Sequence, residues 1–161
     1  MPRVLDVGQE LGLRHFLLGS TPDVLSSLEA AMVGRFPGAT IVGRHSPPFS
    51  ETDDVNARVV EVVCTAAPNV VWCALGAPKQ ELWMHRYAPA LPGVLLLGVG
   101  AAFDFLANTK QRAPTFMQDN GLEWMHRLVS EPRRLIGRYA RTNAEFLARS
   151  GFELGRRRLA R

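Results

Sequence analysis

The stretch NVVWCALGAPKQELWMHRYA, residues 69–88, decides the fold class of this chain. Its first part, residues 69–75, is apolar and rich in β-branched side chains, which predicts a buried strand. Gly-Ala-Pro at residues 76–78 interrupts the apolar run, and KQELWMHRYA, residues 79–88, predicts a helix. A strand, a short corner and a helix in succession are the repeating unit of a parallel sheet covered by helices.

The same alternation continues on both sides of this stretch. Further strands are predicted at residues 14–19, 39–43 and 93–100. One helix is predicted from Thr21, its N-cap, to about Phe36, with Pro22 at the first helical position. Another is predicted from about Asp53 to Ala66. The pattern predicts an α/β, Rossmann-like parallel sheet with flanking helices on both faces.

Beyond Phe105 the pattern changes. GLEWMHRLVSE, residues 121–131, and PRRLIGRYARTNAEFLA, residues 132–148, predict consecutive helices that are broken at Pro132. We therefore expect a Rossmann-like α/β domain over residues 1–110 and a basic C-terminal helical appendage over residues 111–161.

The formal net charge of +4 is unevenly distributed. Residues 1–109 contain 7 basic and 10 acidic side chains, whereas residues 110–161 contain 12 basic and 5 acidic ones. A basic C-terminal part of this kind indicates an anionic partner: phosphate, nucleic acid or a lipid surface.

Composition excludes several classes of protein. The 161 residues are 47% hydrophobic and 21% charged, as in soluble globular proteins. The longest apolar run, residues 94–103, is too short to span a bilayer, and the first residues lack an apolar signal core. Cys64 and Cys73 fit neither a disulfide framework nor a zinc site, so both are predicted to be buried thiols in a reducing cytoplasm. The four histidines show no metal-ligand spacing, and we expect no metal site.

Candidate binding residues follow the predicted strands. Ligands of open parallel sheets bind outside the carboxyl ends of the strands, where Lys79, Gln80 and Glu81 begin a helix. Pro78 suits the first turn of that helix, and its free N–H groups favour an anion nearby. The Gln80 amide can donate to and accept from sugar hydroxyls. The alternative is that these three side chains only cap and solvate the helix start.

Other candidates lie at the same edge or in the basic part. Phe49, in the SPPF loop of residues 46–49, can stack on a base, although a rigid surface turn explains this loop equally simply. Asp104, in GVGAAFDF of residues 98–105, can hold ribose hydroxyls, but the segment lacks the third glycine of a dinucleotide fingerprint. Arg127 and Arg134 can clamp a diphosphate, or belong to a solvated basic face.

Taken in order, SPPF, GAPKQELW, GVGAAFDFLA, RAP and GLEWMHRLVSEPRRLIGRY resemble the WecG/TagA/CpsF glycosyltransferase family. The resemblance runs from about Phe16 to Phe146. It implies transfer of a hexose-type sugar, such as N-acetylmannosamine or its uronic acid, from a UDP-sugar donor to a polyprenyl-diphosphate-linked sugar acceptor. It further implies inversion at the anomeric carbon, no bound metal or other cofactor, and a role in cell-surface polysaccharide or teichoic acid synthesis.

The resemblance also implies roles for individual residues. Gln80, with its neighbours Lys79 and Glu81, would lie in the sugar pocket, Asp104 near the ribose and Phe49 near the uracil. Arg127 and Arg134 would close over the donor and lipid diphosphates. Family members work peripherally on the cytoplasmic face of the plasma membrane and tend to associate, so an anionic membrane surface and a homo-oligomer are expected.

The chain departs from the family pattern at three places. Asn108 stands where the family usually has glycine, and Gly137 stands where it often has a basic residue. The family's N-terminal half, which carries a proposed aspartate base, has no counterpart. Because residues 4–11 read as the end of a helix that leads into the first strand, we predict an N-terminally truncated chain that matches the C-terminal two-thirds of a family member. No catalytic residue is assigned.

Two other functions compete with sugar transfer. A non-catalytic nucleotide-binding remnant is consistent with the unassigned base, whereas the presence of Gln80 and Asp104 argues for a working donor site. A nucleic-acid binder would need exposed aromatic side chains interleaved with basic ones or a known recognition motif, and neither is present. We therefore expect no nucleic-acid partner.

Overall fold

The computed structural model describes residues 1–48 and 53–109, together with residues 114, 116, 117 and 120. The chain divides into two units, Met1–Gln111 and Arg112–Arg161, and the helices and strands named below all belong to the first. Phe49, Arg127, Arg134 and the predicted helical appendage lie outside the described residues, so what was expected of them stays a prediction.

The described residues form a parallel sheet between helices. Its strands are β1 (Arg14–Gly19), β2 (Thr40–His45), β3 (Val70–Ala74) and β4 (Leu95–Gly98), in the order β2-β1-β3-β4. All three strand pairs are parallel. The helices are α1 (Pro2–Glu10), α2 (Pro22–Arg35), α3 (Asp53–Ala66), α4 (Lys79–Tyr87) and α5 (Ala102–Leu106), and a 3-10 turn at Ala88–Ala90 follows α4. The predicted α/β, Rossmann-like class is confirmed.

The helices cover both faces of the sheet because the buried strands carry apolar side chains in both directions. On one face, Leu17 and Trp72 pack with side chains of α1, α2 and α5. On the other face, Phe16 and Cys73 pack with side chains of α3 and α4. Burial raises the pKa of the Cys73 thiol to about 12. Cys64 is exposed on α3, so the prediction that both thiols are buried was wrong for Cys64.

Local signals place the helix starts. The Thr21 side chain accepts a hydrogen bond from the Val24 N–H at 3.4 Å, and Pro22 opens α2, as predicted. In α4 the first helical residue is Lys79, and Pro78 is the N-cap. The expectation that Pro78 lies inside the first turn was therefore wrong by one position.

Two strands differ from their predictions by two residues at one or both ends. β4 is shorter than the predicted 93–100, because it is an edge strand that pairs only with Val70–Cys73 of β3. Gly93 and Gly100, which bracket it, adopt positive φ angles of 77° and 51° that interrupt extended backbone. β2 begins at Thr40 and continues to His45, which pairs with Leu18 of β1.

The order of the strands creates a crevice between β1 and β3. The chain leaves β1 through α2 on one face of the sheet and leaves β3 through α4 on the other face. The loops that follow these neighbouring strands therefore run to opposite faces of the sheet and leave a crevice between them. Ligands of such sheets usually bind in a crevice of this kind. The two ends touch at Gly19, whose φ is 103° and where a Cβ would lie 2.5 Å from the Ala74 carbonyl carbon. Only glycine fits there.

Candidate functional site

The loops at the carboxyl edge of the sheet are joined by hydrogen bonds. Ser20, directly after β1, donates its backbone N–H to the Ala74 carbonyl at the end of β3 (3.2 Å). Ser46, directly after β2, donates its hydroxyl to the Ser20 carbonyl at 2.6 Å. The start of the SPPF loop is thus connected through Ser20 to the end of β3, where the candidate corner begins.

The corner between β3 and α4 turns the chain so that Gln80 points inward. Gly76 has a φ of 85°, and its carbonyl accepts the Gln80 N–H at 2.9 Å, which closes the first turn. The Pro78 carbonyl accepts the Leu82 N–H at 3.1 Å. With this turn in place, Gln80 and Trp83 form the buried side of α4, and Glu81 and Leu82 lie on its exposed side.

Gln80 is one of two buried polar side chains among the described residues, the other being His15. It is 7% exposed, and its Nε2 donates a hydrogen bond to Glu81 Oε1 at 2.9 Å. Its Oε1 is buried and has no hydrogen-bond partner. Since buried polar atoms in folded proteins nearly always have a partner, an acceptor without one at a sheet's carboxyl edge indicates a ligand position.

The last residue of β4 provides the space for Gln80. A Cβ placed on Gly98 would lie 3.0 Å from Gln80 Nε2 and 3.0 Å from Met84 Cε. The sequence had suggested that the glycines of GVGAAF let a ligand approach the backbone. At Gly98 the approaching groups are instead side chains of α4, whereas a Cβ at Gly100 would have no such neighbour within 4 Å.

Lys79 and Glu81 lie in the first turn of α4. Lys79 is half-buried and Glu81 is exposed. The Glu81 carboxylate near the helix N-terminus interacts favourably with the helix dipole, which accounts for the alternative that this residue stabilises the helix start. Its hydrogen bond to Gln80 adds a second role, because it links the exposed turn to the buried amide.

Asp104 lies in α5, which leaves the carboxyl end of β4 on the face opposite to α4. The neighbouring Phe103 is 1% exposed and packs in the core with α2, which holds α5 in place. The Asp104 carbonyl accepts the N–H and the hydroxyl of Thr109, each at 3.0 Å. Gln80 and Asp104 thus belong to helices that begin at the same edge of the sheet, after neighbouring strands.

Asn108 explains one departure from the family pattern. Its φ is 54°, in the left-handed region where glycine is the least strained residue. Asparagine is among the side chains that tolerate this region best. The position therefore keeps the same backbone conformation with Asn that it would have with Gly.

Sequence reasoning missed two features of the described part. One is the Ser46–Ser20 hydrogen bond, because a serine before two prolines gives no signal of its distant partner. The other is the pair formed by His15 and Trp72, whose indole N–H donates to His15 Nδ1 at 3.3 Å in the core. The strand pattern placed His15 in β1, and only the parallel register with β3 brings the two rings together.

Two grooves of the described surface lie away from this edge. One of about 430 Å³ runs along the outer strand β2 and the second half of α3. Another of about 260 Å³ lies before β3 and β4, at the amino end of the sheet. Within residues 1–48 and 53–109, no cluster of three His, Cys, Asp or Glu side chains has the arrangement of a metal site. In that same part of the chain, no helix has the length and apolar character needed to cross a bilayer.

Comparison with protein families gives a match over nearly the whole chain. The sequence model of the Glycosyl transferase WecG/TagA/CpsF family matches residues 1–160. This match extends on both sides beyond residues 16–146, where the recognisable motifs lie, and it covers nearly the whole chain. The parallel sheet, the GAPKQE corner and the GVGAAFDF segment all fall within it. The chain therefore belongs to the WecG/TagA/CpsF family of glycosyl transferases.

Proposed function

We propose that this chain binds a UDP-sugar at the carboxyl edge of its sheet and transfers a hexose-type sugar to a polyprenyl-diphosphate-linked acceptor. The observation that supports this most is Gln80, a buried carboxamide whose oxygen has no partner, at the edge where parallel sheets bind ligands. A sugar carries several hydroxyl groups that can donate to such an oxygen. Family membership supports a glycosyl transferase reaction.

Each of the proposed residues binds a different part of the UDP-sugar donor. Gln80 binds the sugar at the corner that it forms with Lys79 and Glu81, and Asp104 binds the ribose from the neighbouring helix. Phe49 stacks on the uracil at the end of the loop that Ser46 joins to Ser20.

The proposed reaction is a single displacement with inversion. An acceptor hydroxyl attacks the anomeric carbon, the new carbon–oxygen bond forms, and the bond from that carbon to the β-phosphate oxygen of UDP breaks. The hydroxyl proton passes to a base, and UDP leaves with the bonding electron pair. Negative charge grows on the departing diphosphate, so cationic donors lower the barrier. We assign this role to Arg127 and Arg134, with no metal ion required.

The basic C-terminal part would bind the membrane that contains the lipid-linked acceptor. Residues 110–161 carry 12 basic and 5 acidic side chains. Basic segments are attracted to the anionic inner leaflet by about 1 kcal/mol per Lys or Arg. We propose that the protein works in the cytoplasm, bound peripherally to the inner face of the plasma membrane, in the synthesis of a cell-surface polysaccharide or teichoic acid.

Calorimetric titration with UDP and UDP-N-acetylhexosamines, without added metal, tests the donor site. We expect dissociation constants between micromolar and low millimolar, and weaker binding by Gln80→Ala and Asp104→Ala while both variants keep their circular dichroism spectrum. A folded wild-type sample that binds none of these nucleotides would overturn the proposal. Unchanged donor affinity in both variants would remove these two residues from the site.

A transfer assay separates the enzyme from a nucleotide-binding remnant of one. The protein is mixed with a UDP-N-acetylhexosamine and a short-chain polyprenyl-diphosphate-linked sugar, and lipid products are analysed by mass spectrometry. A product heavier by one sugar supports transfer. Donor binding without such a product, across the common UDP-sugars, would favour the remnant.

A further inference from the structure

The hydrogen bond between Gln80 and Glu81 fixes which end of the Gln80 amide is available to a ligand. A carboxylate can only accept hydrogen bonds, whereas a carboxamide has one end that donates and one that accepts. Glu81 Oε1 lies 2.9 Å from the Gln80 nitrogen. If the amide were turned over, its oxygen would face the carboxylate oxygen, and the two would repel each other. One N–H of the Gln80 nitrogen is therefore held by Glu81, and the oxygen lies at the other end of the amide.

The Gln80 oxygen has no donor within the described part of the protein. It is buried without a hydrogen-bond partner. The Trp83 indole N–H, one turn later on the same helix, is itself buried without a hydrogen-bond partner, so it does not supply the bond. Gly98 leaves just enough room for the amide, since even a methyl group there would lie 3.0 Å from its nitrogen. Side-chain packing thus holds the amide in place while its acceptor stays unpaired.

We propose that Glu81 is a positioning residue, which turns the Gln80 oxygen toward the bound sugar and so selects a hydrogen-bond donor at that position. The group it faces is then a hydroxyl or the N–H of an acetamido substituent, and not a carboxylate, which has no proton to give. This inference rests on the proposed donor site and adds to it a sugar-specificity element that acts from outside the sugar pocket. Glu81 acts through Gln80 and makes no contact with the sugar.

The test compares three side chains at position 81 by their effect on sugar recognition. The quantity measured is the ratio of the dissociation constant for the β-methyl ester of UDP to that for UDP-N-acetylglucosamine or UDP-N-acetylmannosamine, whichever ratio is larger in the wild type. The methyl ester has the same diphosphate charge as the UDP-sugars, so this ratio cancels effects of charge on the diphosphate. Glu81 is exposed, so its replacement leaves the core intact.

Glu81→Gln and Glu81→Lys have different expected outcomes. A glutamine accepts and donates, so the Gln80 amide adopts both orientations and the ratio falls by roughly twofold. A lysine only donates, so it attracts the Gln80 oxygen and turns the nitrogen toward the sugar. The ratio then falls about tenfold, the equivalent of one lost hydrogen bond. Glu61→Gln and Glu61→Lys, on the exposed side of α3, are matched controls that leave the ratio unchanged.

A double-mutant cycle with Gln80→Met decides whether Glu81 acts through Gln80. Methionine keeps the length of the side chain and removes the amide. In this background Glu81→Lys should have no further effect on the ratio. An undiminished effect would show that Glu81 contacts the sugar itself, and equal ratios for all three residues at position 81 would overturn the positioning role.

The proposed function and this inference fail in different ways. If wild-type protein binds neither UDP nor the UDP-sugars, the donor site is wrong and the inference falls with it. If wild-type protein binds UDP and its sugar ratio is near one, the nucleotide site stands and recognition of the sugar by Gln80 is overturned.

Discussion

The position of the Gln80 side chain in α4 depends on a residue far from it in the sequence, Gly98 at the end of β4. The corner after β3 was recognisable from its residues, but nothing in the local sequence indicates that the last residue of β4 makes room for the Gln80 amide. That contact depends on the parallel register of β3 and β4, which is set by tertiary packing. The sequence therefore indicated Gln80 as a candidate side chain, whereas its contacts with Glu81 and Gly98 are known only from the fold.

Gly98→Ala tests this contact at the scale of one methyl group. The added Cβ would meet Gln80 Nε2 and Met84 Cε at 3.0 Å, so both side chains must shift. We expect the affinity for a UDP-sugar to fall by about tenfold, as for loss of one hydrogen bond, with little change in the thermal unfolding midpoint.

Gly34→Ala is the control for this substitution. Gly34 is in α2 and has no atom near the position of an added Cβ. Replacing it should raise the free energy of unfolding by about 0.5–1 kcal/mol through helix propensity and leave nucleotide binding unchanged. Equal UDP-sugar affinities for Gly98→Ala and wild type would mean that sugar binding does not depend on the observed position of the Gln80 side chain.

His15 should make stability depend on pH. It is fully buried, its Nδ1 accepts the Trp72 indole N–H, and burial lowers its pKa from 6.5. The unfolded chain takes up a proton near pH 6.5, whereas the folded chain keeps His15 neutral to lower pH. The contribution of His15 is thus present above pH 6.5 and is lost as the pH falls toward the lowered folded pKa.

Urea unfolding at about pH 7.5 and about pH 5.5 measures this effect, since these values lie on either side of the ordinary histidine pKa. The slope attributable to one proton cannot exceed about 1.4 kcal/mol per pH unit. His15→Asn, which does not titrate, should flatten the dependence between these values, whereas His85→Asn on the exposed side of α4 should not. Parallel curves for wild type and His15→Asn would contradict the assignment.

At the scale of elements, alternation of strands and helices was sufficient to predict the sheet. β1, β3, α2 and α3 lie within one residue of their predicted bounds, because each combines a clear apolar period with a clear stop signal. The β4 prediction was too long, because apolar residues continue past the segment that has a strand to pair with. The exposure of Cys64 was also missed, because a small apolar side chain in a helix can face either the core or the solvent.

Substitutions in α1 test whether this helix packs against the core. Leu5 of α1 is completely buried in the cluster that contains Leu17 and Trp72, whereas Val7 in the same helix is 51% exposed. Leu5→Ala should lower the free energy of unfolding by about 2–5 kcal/mol, and Val7→Ala by less than about 0.5 kcal/mol. Chemical denaturation of the two variants measures the difference, and similar losses for both would show that α1 is not packed as described.

At the scale of the whole molecule, the unequal distribution of charge leads to a prediction about the proposed binding to an anionic membrane. Neutralising Arg156, Arg157 and Arg158 with glutamine should weaken binding to vesicles with anionic lipid by roughly 100-fold, at about 1 kcal/mol for each cation. Sedimentation with phosphatidylserine-containing vesicles measures this, and added salt should weaken wild-type binding in the same direction.

A second triple variant controls for net charge. Arg3, Arg35 and Arg58 lie in the first unit, and replacing them with glutamine changes the total charge by the same amount. We expect vesicle binding to fall much less in this variant. Equal losses in the two variants would mean that overall charge, and not the C-terminal part, drives the association.

The hydrogen bonds from Ser46 to Ser20 and from Ser20 to Ala74 have a mechanical consequence. They connect the start of the loop after β2 to Ser20 after β1, and Ser20 to the last residue of β3, along the edge of the sheet. A displacement at one end of this series of contacts is therefore passed to the other through two hydrogen bonds and a residue with a φ of 64°. We expect a ligand that contacts both ends to move them together, so that contacts made at one end would tighten those at the other.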